Sequence, residues 1–245
     1  MSKTRRILVV DDDVDTCGNL SDILGDLGYS VATAANGKQA LALVDAQPFD
    51  VAILDFKMPD MDGVTLYREI KKRRAGTLAV IVTAYSTAET VADALHAGVC
   101  QVLRKPVVIH QLLDLVDQFV KQPTLLVVDD DHDLCENLWE ILRERDVRVC
   151  LASSESEARR LLAEDQFHVV LIDMQLPEGD GQSVMRLVRD ANPNARIVLI
   201  TGHRDELEQV IQGLVADGAD AVCYKPFDVP RLVETVRKLA LTTKN

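Results

Sequence analysis

The run VAILDFKMPDMDG at residues 51–63 returns as VVLIDMQLPEGDG at residues 169–181, and this duplication constrains the fold more than any other feature of the chain. In each copy four apolar residues, rich in β-branched side chains, end in an aspartate, Asp55 or Asp173, and a turn bearing Pro and Gly follows. A short apolar run closed by turn formers reads as a strand buried on both faces, as in a parallel sheet. The terminal acid then lies at the C-terminal edge of the sheet, where open α/β folds keep their chemistry. The offset between the acids is 118 residues (173 − 55), and Asp11 to Asp129 and Thr83 to Thr201 repeat it. Lys105 to Lys225 is 120, so the second copy has gained two residues near its fourth helix. A period this long is a duplicated domain, since solenoid repeats run about 20–50 residues.

In chain order, RRILVVDDDVD is a strand ending in acids, and CGNLSDIL sets Cys17, Leu20, Ile23 and Leu24 at helical spacing. Gly28 closes that helix, YSVATA is the second strand, and Asn36-Gly37 opens a helix with Ala40, Leu41 and Val44 on one face. Pro48 breaks it before the third strand. VTLYREIKKRR, LAVIVTA, TAETVADALHAG, VCQVLRKP and IHQLLDLVDQFV then alternate helix and strand, and TLLVVDDDHD restarts the pattern at Thr124. Five strand–helix alternations with short links predict a parallel sheet covered on both faces by helices. The expected domains are residues 1–121 and 122–245, joined through Lys121, Gln122 and Pro123.

Composition narrows the function. With 47% hydrophobic content in 245 residues there is apolar material for two cores of ordinary size. No apolar run approaches the ~18 residues of a membrane span, and MSKTRRILVV passes into a strand without a cleavable apolar region, so a cytoplasmic protein is expected, away from membranes. Lys and Arg number 27 against 39 Asp and Glu, a net charge of −12; that field repels nucleic acid. The basic cluster KKRR at 71–74 reads as a solvated helix end. Five cysteines without a CxxC pair read as reduced thiols in small core positions, and Trp139 is expected to shield a core edge.

The strand ends carry the chemistry. Asp11, Asp12 and Asp13 follow the first strand, Asp55 ends the third, Thr83 the fourth, and Lys105 precedes Pro106 after the fifth; Asp129, Asp130, Asp173, Thr201 and Lys225 repeat the set. Carboxylates from neighbouring strands repel one another at one edge, and a hard divalent cation relieves that repulsion. Mg²⁺ fits, because it takes a few carboxylates together with waters and phosphate oxygens. Asp55 is then placed to attack a phosphoryl group whose oxygens Lys105 and Thr83 hold. Asp13, Asp15, Asp131 and Asp133 read as turn formers or helix caps. The Asp11, Asp13, Asp15 spacing imitates a calcium loop, but Thr16 stands where such a loop needs Gly.

On these motifs the chain resembles two response-regulator receiver domains in tandem, from the two-component signalling family, over almost its whole length. The resemblance implies two flavodoxin-like doubly wound domains with strand order 2-1-3-4-5. It also implies acid pairs Asp11/Asp12 and Asp129/Asp130, phosphorylated aspartates Asp55 and Asp173, switch hydroxyls Thr83 and Thr201, and the dipeptides Lys105-Pro106 and Lys225-Pro226. The Mg²⁺ ligands would include the backbone carbonyls of Lys57 and Gln175. Implied partners are a histidine kinase or histidine phosphotransfer protein. Hydrolysis of the acyl phosphate would be tuned by side chains such as Lys57, Tyr85, Gln175 and His203. The aromatic ring that many receivers carry three residues before the lysine is replaced by Val102 and Val222.

Other classes fit less well. A phosphatase of the haloacid dehalogenase type needs a second acid two residues after the nucleophile, where Lys57 and Gln175 stand. A nucleotide-binding sheet needs a glycine-rich turn after strand one, where DDDVD stands. A switch with output through protein contacts is expected, its catalysis limited to its own phosphorylation and slow dephosphorylation; the alternatives are a phosphate-independent scaffold or the receiver portion of a larger sensor kinase.

Overall fold

The structure is a computed structural model and describes residues 4–84, 87–177, 180–202, 213, 218–226 and 228–241. It divides into two compact units, Met1–Lys121 and Gln122–Asn245.

In the first unit the elements are β1 (Arg6–Val10), α1 (Val14–Asp26), β2 (Ser30–Ala34), α2 (Gly37–Ala46), β3 (Val51–Asp55), α3 (Gly63–Arg73), β4 (Leu78–Thr83), α4 (Ala88–Ala97), β5 (Gln101–Arg104) and α5 (Ile109–Val120). All strand pairings are parallel and the order is β2-β1-β3-β4-β5. Successive strand residues point to opposite faces, and the core divides accordingly. Leu8, Ala52, Leu54, Ala79 and Ile81 pack with Ala40, Val44, Tyr67, Ile70 and Ala94 of α2, α3 and α4. Ile7, Val51, Ile53, Val80 and Val82 pack on the other side with Leu24 of α1 and Leu112, Val116 and Phe119 of α5. Because β3 is covered on both faces, every residue from Val51 to Asp55 is buried.

The second unit repeats this with β6 (Thr124–Val128), α6 (His132–Arg143), β7 (Arg148–Ala152), α7 (Glu155–Glu164), β8 (Val169–Asp173), α8 (Gly181–Ala191), β9 (Arg196–Thr201), β10 (Ala221–Tyr224) and α9 (Val229–Leu241) among the described residues. Its strand order is β7-β6-β8-β9-β10, again parallel throughout. The sequence feature that starts these helices is a short polar side chain at the N-cap. Asp13, Asn36, Asp62, Thr87, Asp131, Ser154 and Asp180 each accept a backbone N–H of the following turn. Gly98 closes α4 with φ +98°, and its counterpart Gly218 has φ +110°, an offset of 120. The two added residues of the second copy therefore lie between Thr201 and Gly218, largely outside the described residues.

Trp139 is 3% exposed on the buried face of α6, with the Arg143 guanidinium 5.1 Å from its ring. Lys71, Lys72 and Arg73 form the last turn of α3, where Glu69 bridges Lys72 at 2.7 Å and Arg73 at 2.8 Å. None of the five cysteines forms a disulfide; Cys17, Cys135 and Cys150 are buried, whereas Cys100 and Cys223 are only half-buried and so are not full core residues. Cys135 donates to the Asp129 carbonyl at 3.3 Å, and burial pushes its thiol up to about 12. With iodoacetamide at about pH 8, where reaction needs the thiolate, peptide mapping should find Cys135 unlabelled in the native protein and labelled in denaturant. Equal labelling in both would mean that α6 does not bury it.

Candidate functional site

Parallel register delivers the strand ends to one edge. Asp11 follows β1, Asp55 closes β3, Thr83 closes β4 and Lys105 follows β5. Lys105 Nζ lies 2.7 Å from Asp11 Oδ2 and 2.5 Å from Asp55 Oδ1. The other oxygen of each acid is also held: Asp11 Oδ1 accepts from Asp13 N at 3.0 Å, and Asp55 Oδ2 from Lys57 N at 2.7 Å. The Lys105 peptide N–H donates to the Thr83 carbonyl at 2.7 Å, which brings the lysine and threonine backbones together. The second unit has the same arrangement. Lys225 Nζ lies 2.9 Å from Asp129 Oδ2 and 2.7 Å from Asp173 Oδ2. Asp129 accepts from Asp131 N at 2.9 Å, Asp173 from Gln175 N at 3.0 Å, and the Lys225 N–H meets the Thr201 carbonyl at 2.7 Å. Thr83 and Thr201 are buried, Asp12 and Asp130 exposed. The Lys105–Pro106 and Lys225–Pro226 peptides are cis. Tyr85 and His203 lie outside the described residues.

The site is short of positive charge. Burial pushes the Asp55 carboxyl above the usual range, with Lys105 opposing it, and burial does the same to Asp129 against the Asp131 amide and Lys225. Burial also works against both ammonium groups, but bonds and charges from the acids outweigh it and hold Lys105 and Lys225 above the ordinary lysine range. One ammonium thus serves two buried carboxylates, with a third acid at the rim. Asp129, Asp130 and Asp173 bring oxygens within 4.8 Å of one another, a donor set of hard oxygens that fits Mg²⁺.

Two features of the site are not readable from the sequence pattern. A Cβ added to Gly63 would stand 2.5 Å from the Asp55 carbonyl oxygen, and one on Gly181 would stand 2.9 Å from that of Asp173. The turn folds back on the acid's own peptide so closely that no side chain fits at its end. The pairing of Gly with Asp at one offset in both copies was the available signal. The second is a set of exposed apolar residues at the starts of α1 and α5. Val14, Val108 and Ile109 are 72%, 45% and 38% exposed, and α5 starts at Val108 without a side-chain cap. In the second unit the counterpart of Val108 is Asp228, which accepts from Arg231 N at 2.8 Å, and the counterpart of Val14 is His132.

A doubly wound parallel sheet that gathers two acids, a threonine and a lysine at its C-terminal edge is a receiver-type domain, present here twice. The chain belongs to the response regulator receiver domain family, whose model matches residues 7–117 and again 125–237. It is 34% identical over 235 residues to a response regulator receiver protein of Anaeromyxobacter sp. (strain Fw109-5), covering 96% of this chain and 95% of that one. It is 44% identical over 100 residues to the transcriptional regulatory protein ZraR of Escherichia coli (strain K12), covering 41% of this chain and 23% of ZraR. A CheY-like receiver domain from Methanospirillum hungatei JF-1 aligns with 34% identity and a TM-score of 0.46 over 47% of this chain and 93% of that one. The protein is thus a response regulator of the two-component type. Receiver domains are phosphoacceptor switches that in general bind Mg²⁺ and work with histidine kinases or phosphotransfer proteins. No described helix is long and apolar enough to cross a membrane.

Gly181→Ala should destabilise the second unit by about 1–3 kcal/mol, read as a lower urea midpoint from Trp139 fluorescence; an unchanged midpoint would mean the turn has room for a side chain. Val108→Asp should restore the missing cap of α5 and stabilise the first unit by about 1 kcal/mol, read by calorimetry.

Proposed function

We propose that Asp55 and Asp173 each accept a phosphoryl group from the phosphohistidine of a histidine kinase or phosphotransfer protein, with residues 1–121 and 122–245 acting as two receivers in the cytoplasm. The observation that carries this reading is the lysine ammonium within 2.5–2.9 Å of both acids in each unit.

A carboxylate oxygen of Asp55 attacks phosphorus, the P–N bond to the donor imidazole breaks, and an acyl phosphate forms as that imidazole leaves. Lys105, already charged and aimed at Asp55, pairs with a phosphoryl oxygen, and the Thr83 hydroxyl donates to another. Lys225 and Thr201 do the same at Asp173. Asp11, Asp12, Asp55 and the Lys57 carbonyl would hold Mg²⁺ in one domain, and Asp129, Asp130, Asp173 and the Gln175 carbonyl in the other. When bound, the ion screens the charge between carboxylate and phosphoryl group. Water later attacks the acyl phosphate, at a rate set by the side chains at positions 57, 85, 175 and 203.

The donor protein covers the rim. Beside the exposed acid of each pair, Asp12 or Asp130, the first domain has Val14, Val108 and Ile109 where the second has His132, Asp228 and Val229, which supports different donors for the two sites. Output passes through protein contacts made by the loops after Thr83 and Thr201. The half-buried Val102 and Val222 pack against the sheet core, leaving no ring to flip, so backbone movement transmits the change.

Incubation with Mg²⁺ and acetyl phosphate, followed by intact mass, should show two phosphoryl additions on the wild type. Asp55→Ala and Asp173→Ala should each show one, and the double variant none. Labelling of the double variant at wild-type level would sink the assignment. In the Mg²⁺–beryllofluoride state, hydrogen exchange should change over residues 84–98; an unchanged pattern there would remove the backbone route.

A further inference from the structure

We propose that Asp60 in the first domain and Glu155 in the second are positioning residues for the metal sites. Asp60 ties the turn carrying the Lys57 backbone ligand to the start of α2, and Glu155 ties the start of α7 to the first turn of α8, where the turn carrying Gln175 ends. The proposal rests on the reading of those sites given above.

Asp60 lies in the turn between β3 and α3, yet its oxygens face another element. Oδ1 accepts from Gly37 N at 3.1 Å and Oδ2 from Lys38 N at 2.9 Å, the first two peptides of α2. Those N–H groups have no acceptor within the helix, and the helix dipole makes them a favourable seat for a carboxylate. The helix has its own cap in Asn36, which takes Gln39 N at 2.9 Å, so Asp60 is an addition that links elements. Oδ1 also accepts from Met61 N at 3.0 Å, which fixes the acid against its own backbone. Met61 then lies over Gly37 so closely that an added Cβ there would stand 2.6 Å from its Cγ. The turn is also pinned at its ends, by Phe56 N to the Val82 carbonyl and Gly63 N to the Phe56 carbonyl, both at 2.9 Å. Asp60 anchors its middle, three residues beyond Lys57.

In the second domain a carboxylate at the start of one helix bonds the first turn of the next. Glu155 occupies the position of Gly37 (155 − 37 = 118) at the start of α7. Its Oε2 lies 2.5 Å from Ser183 Oγ in the first turn of α8, and Arg159 holds its other oxygen at 2.8 Å. Ser183 Oγ lies 2.8 Å from the carbonyl of Asp180, the last residue of the turn that carries Gln175. Asp60 reaches the first peptides of α2 from the turn directly, whereas Glu155, the first residue of α7, reaches Ser183 of α8 and, through that hydroxyl, the Asp180 carbonyl at the end of the turn. Glu178, at the position of Asp60 in the second copy, lies outside the described residues. A peptide carbonyl coordinates only when its plane is aimed at the ion, and partners that orient a ligand contribute strongly to affinity.

The test is Mg²⁺ titration by calorimetry on the full chain, with Asp130→Ala and Asp173→Ala silencing the second site. Asp60→Ala should weaken the remaining site by about tenfold at a temperature well below unfolding, and amide exchange over residues 57–61 should quicken. Asp60→Asn, which still offers one acceptor oxygen to α2, should recover most of the affinity, while the loss in Asp60→Ala should persist where that variant is fully folded, which a role confined to fold stability would not give. Glu155→Ala should do the same to the second site when Asp12→Ala and Asp55→Ala silence the first, and it stands as the independent arm if Asp60→Ala fails to fold. Wild-type Mg²⁺ affinity in both Asp60→Ala and Glu155→Ala would overturn the proposal while leaving the sites intact. No Mg²⁺ binding by the parent chains would instead overturn the site reading itself.

Discussion

The structure depends on one ammonium shared by two buried carboxylates at the end of each sheet. Two acids on neighbouring strands, β1 and β3 or β6 and β8, would drive those strand ends apart if nothing compensated them. Lys105 and Lys225 supply that compensation from the far side of the sheet, beyond β4 and β9, so the pair of contacts also closes the edge across three strands. The compensation is incomplete by count, since one ammonium faces two buried carboxylates and an exposed third acid, and burial further raises the Asp55 and Asp129 carboxyls. A site in that state favours the arrival of a divalent cation and, behind it, an anion.

Much of this was legible in the sequence. The location of Asp55 follows from four apolar residues ending in an acid, and Lys105 gains meaning because Lys225 recurs with the same acids, threonine and proline. The strand order needed the family resemblance, since periodicity alone does not say which strands touch. Contacts between residues far apart in the chain were not readable at all. Nothing local to Asp60 says that its oxygens sit on Gly37 and Lys38, and nothing local to Gly63 says that the Asp55 carbonyl lies where a methyl group would go. The unequal starts of α5 and α9 were visible in principle, because Val108 aligns with Asp228, but an N-cap is recognised only once the helix boundary is known.

The two copies act as a controlled comparison. Where a contact requires one chemistry, the residue is the same in both: Asp55 and Asp173, Lys105 and Lys225, Gly63 and Gly181. Where several side chains can supply it, the copies diverge. The peptide N–H that opens the first strand is taken by Asp50 in one unit and by the His168 imidazole in the other, Arg6 N to Asp50 Oδ2 at 2.7 Å and Thr124 N to His168 Nδ1 at 3.1 Å.

That contrast bears on how the duplicated halves can drift. At Gly63 and Gly181 the constraint is empty space, and every codon change that alters the residue adds atoms to it, so no neighbouring genotype offers a detour. The link between the turn and the adjacent helix is a relation between two elements, and a carboxylate on either one can make it. After gene duplication the first kind of position stays frozen while the second can wander, and the halves can part in sequence while their reactive ends stay superimposable.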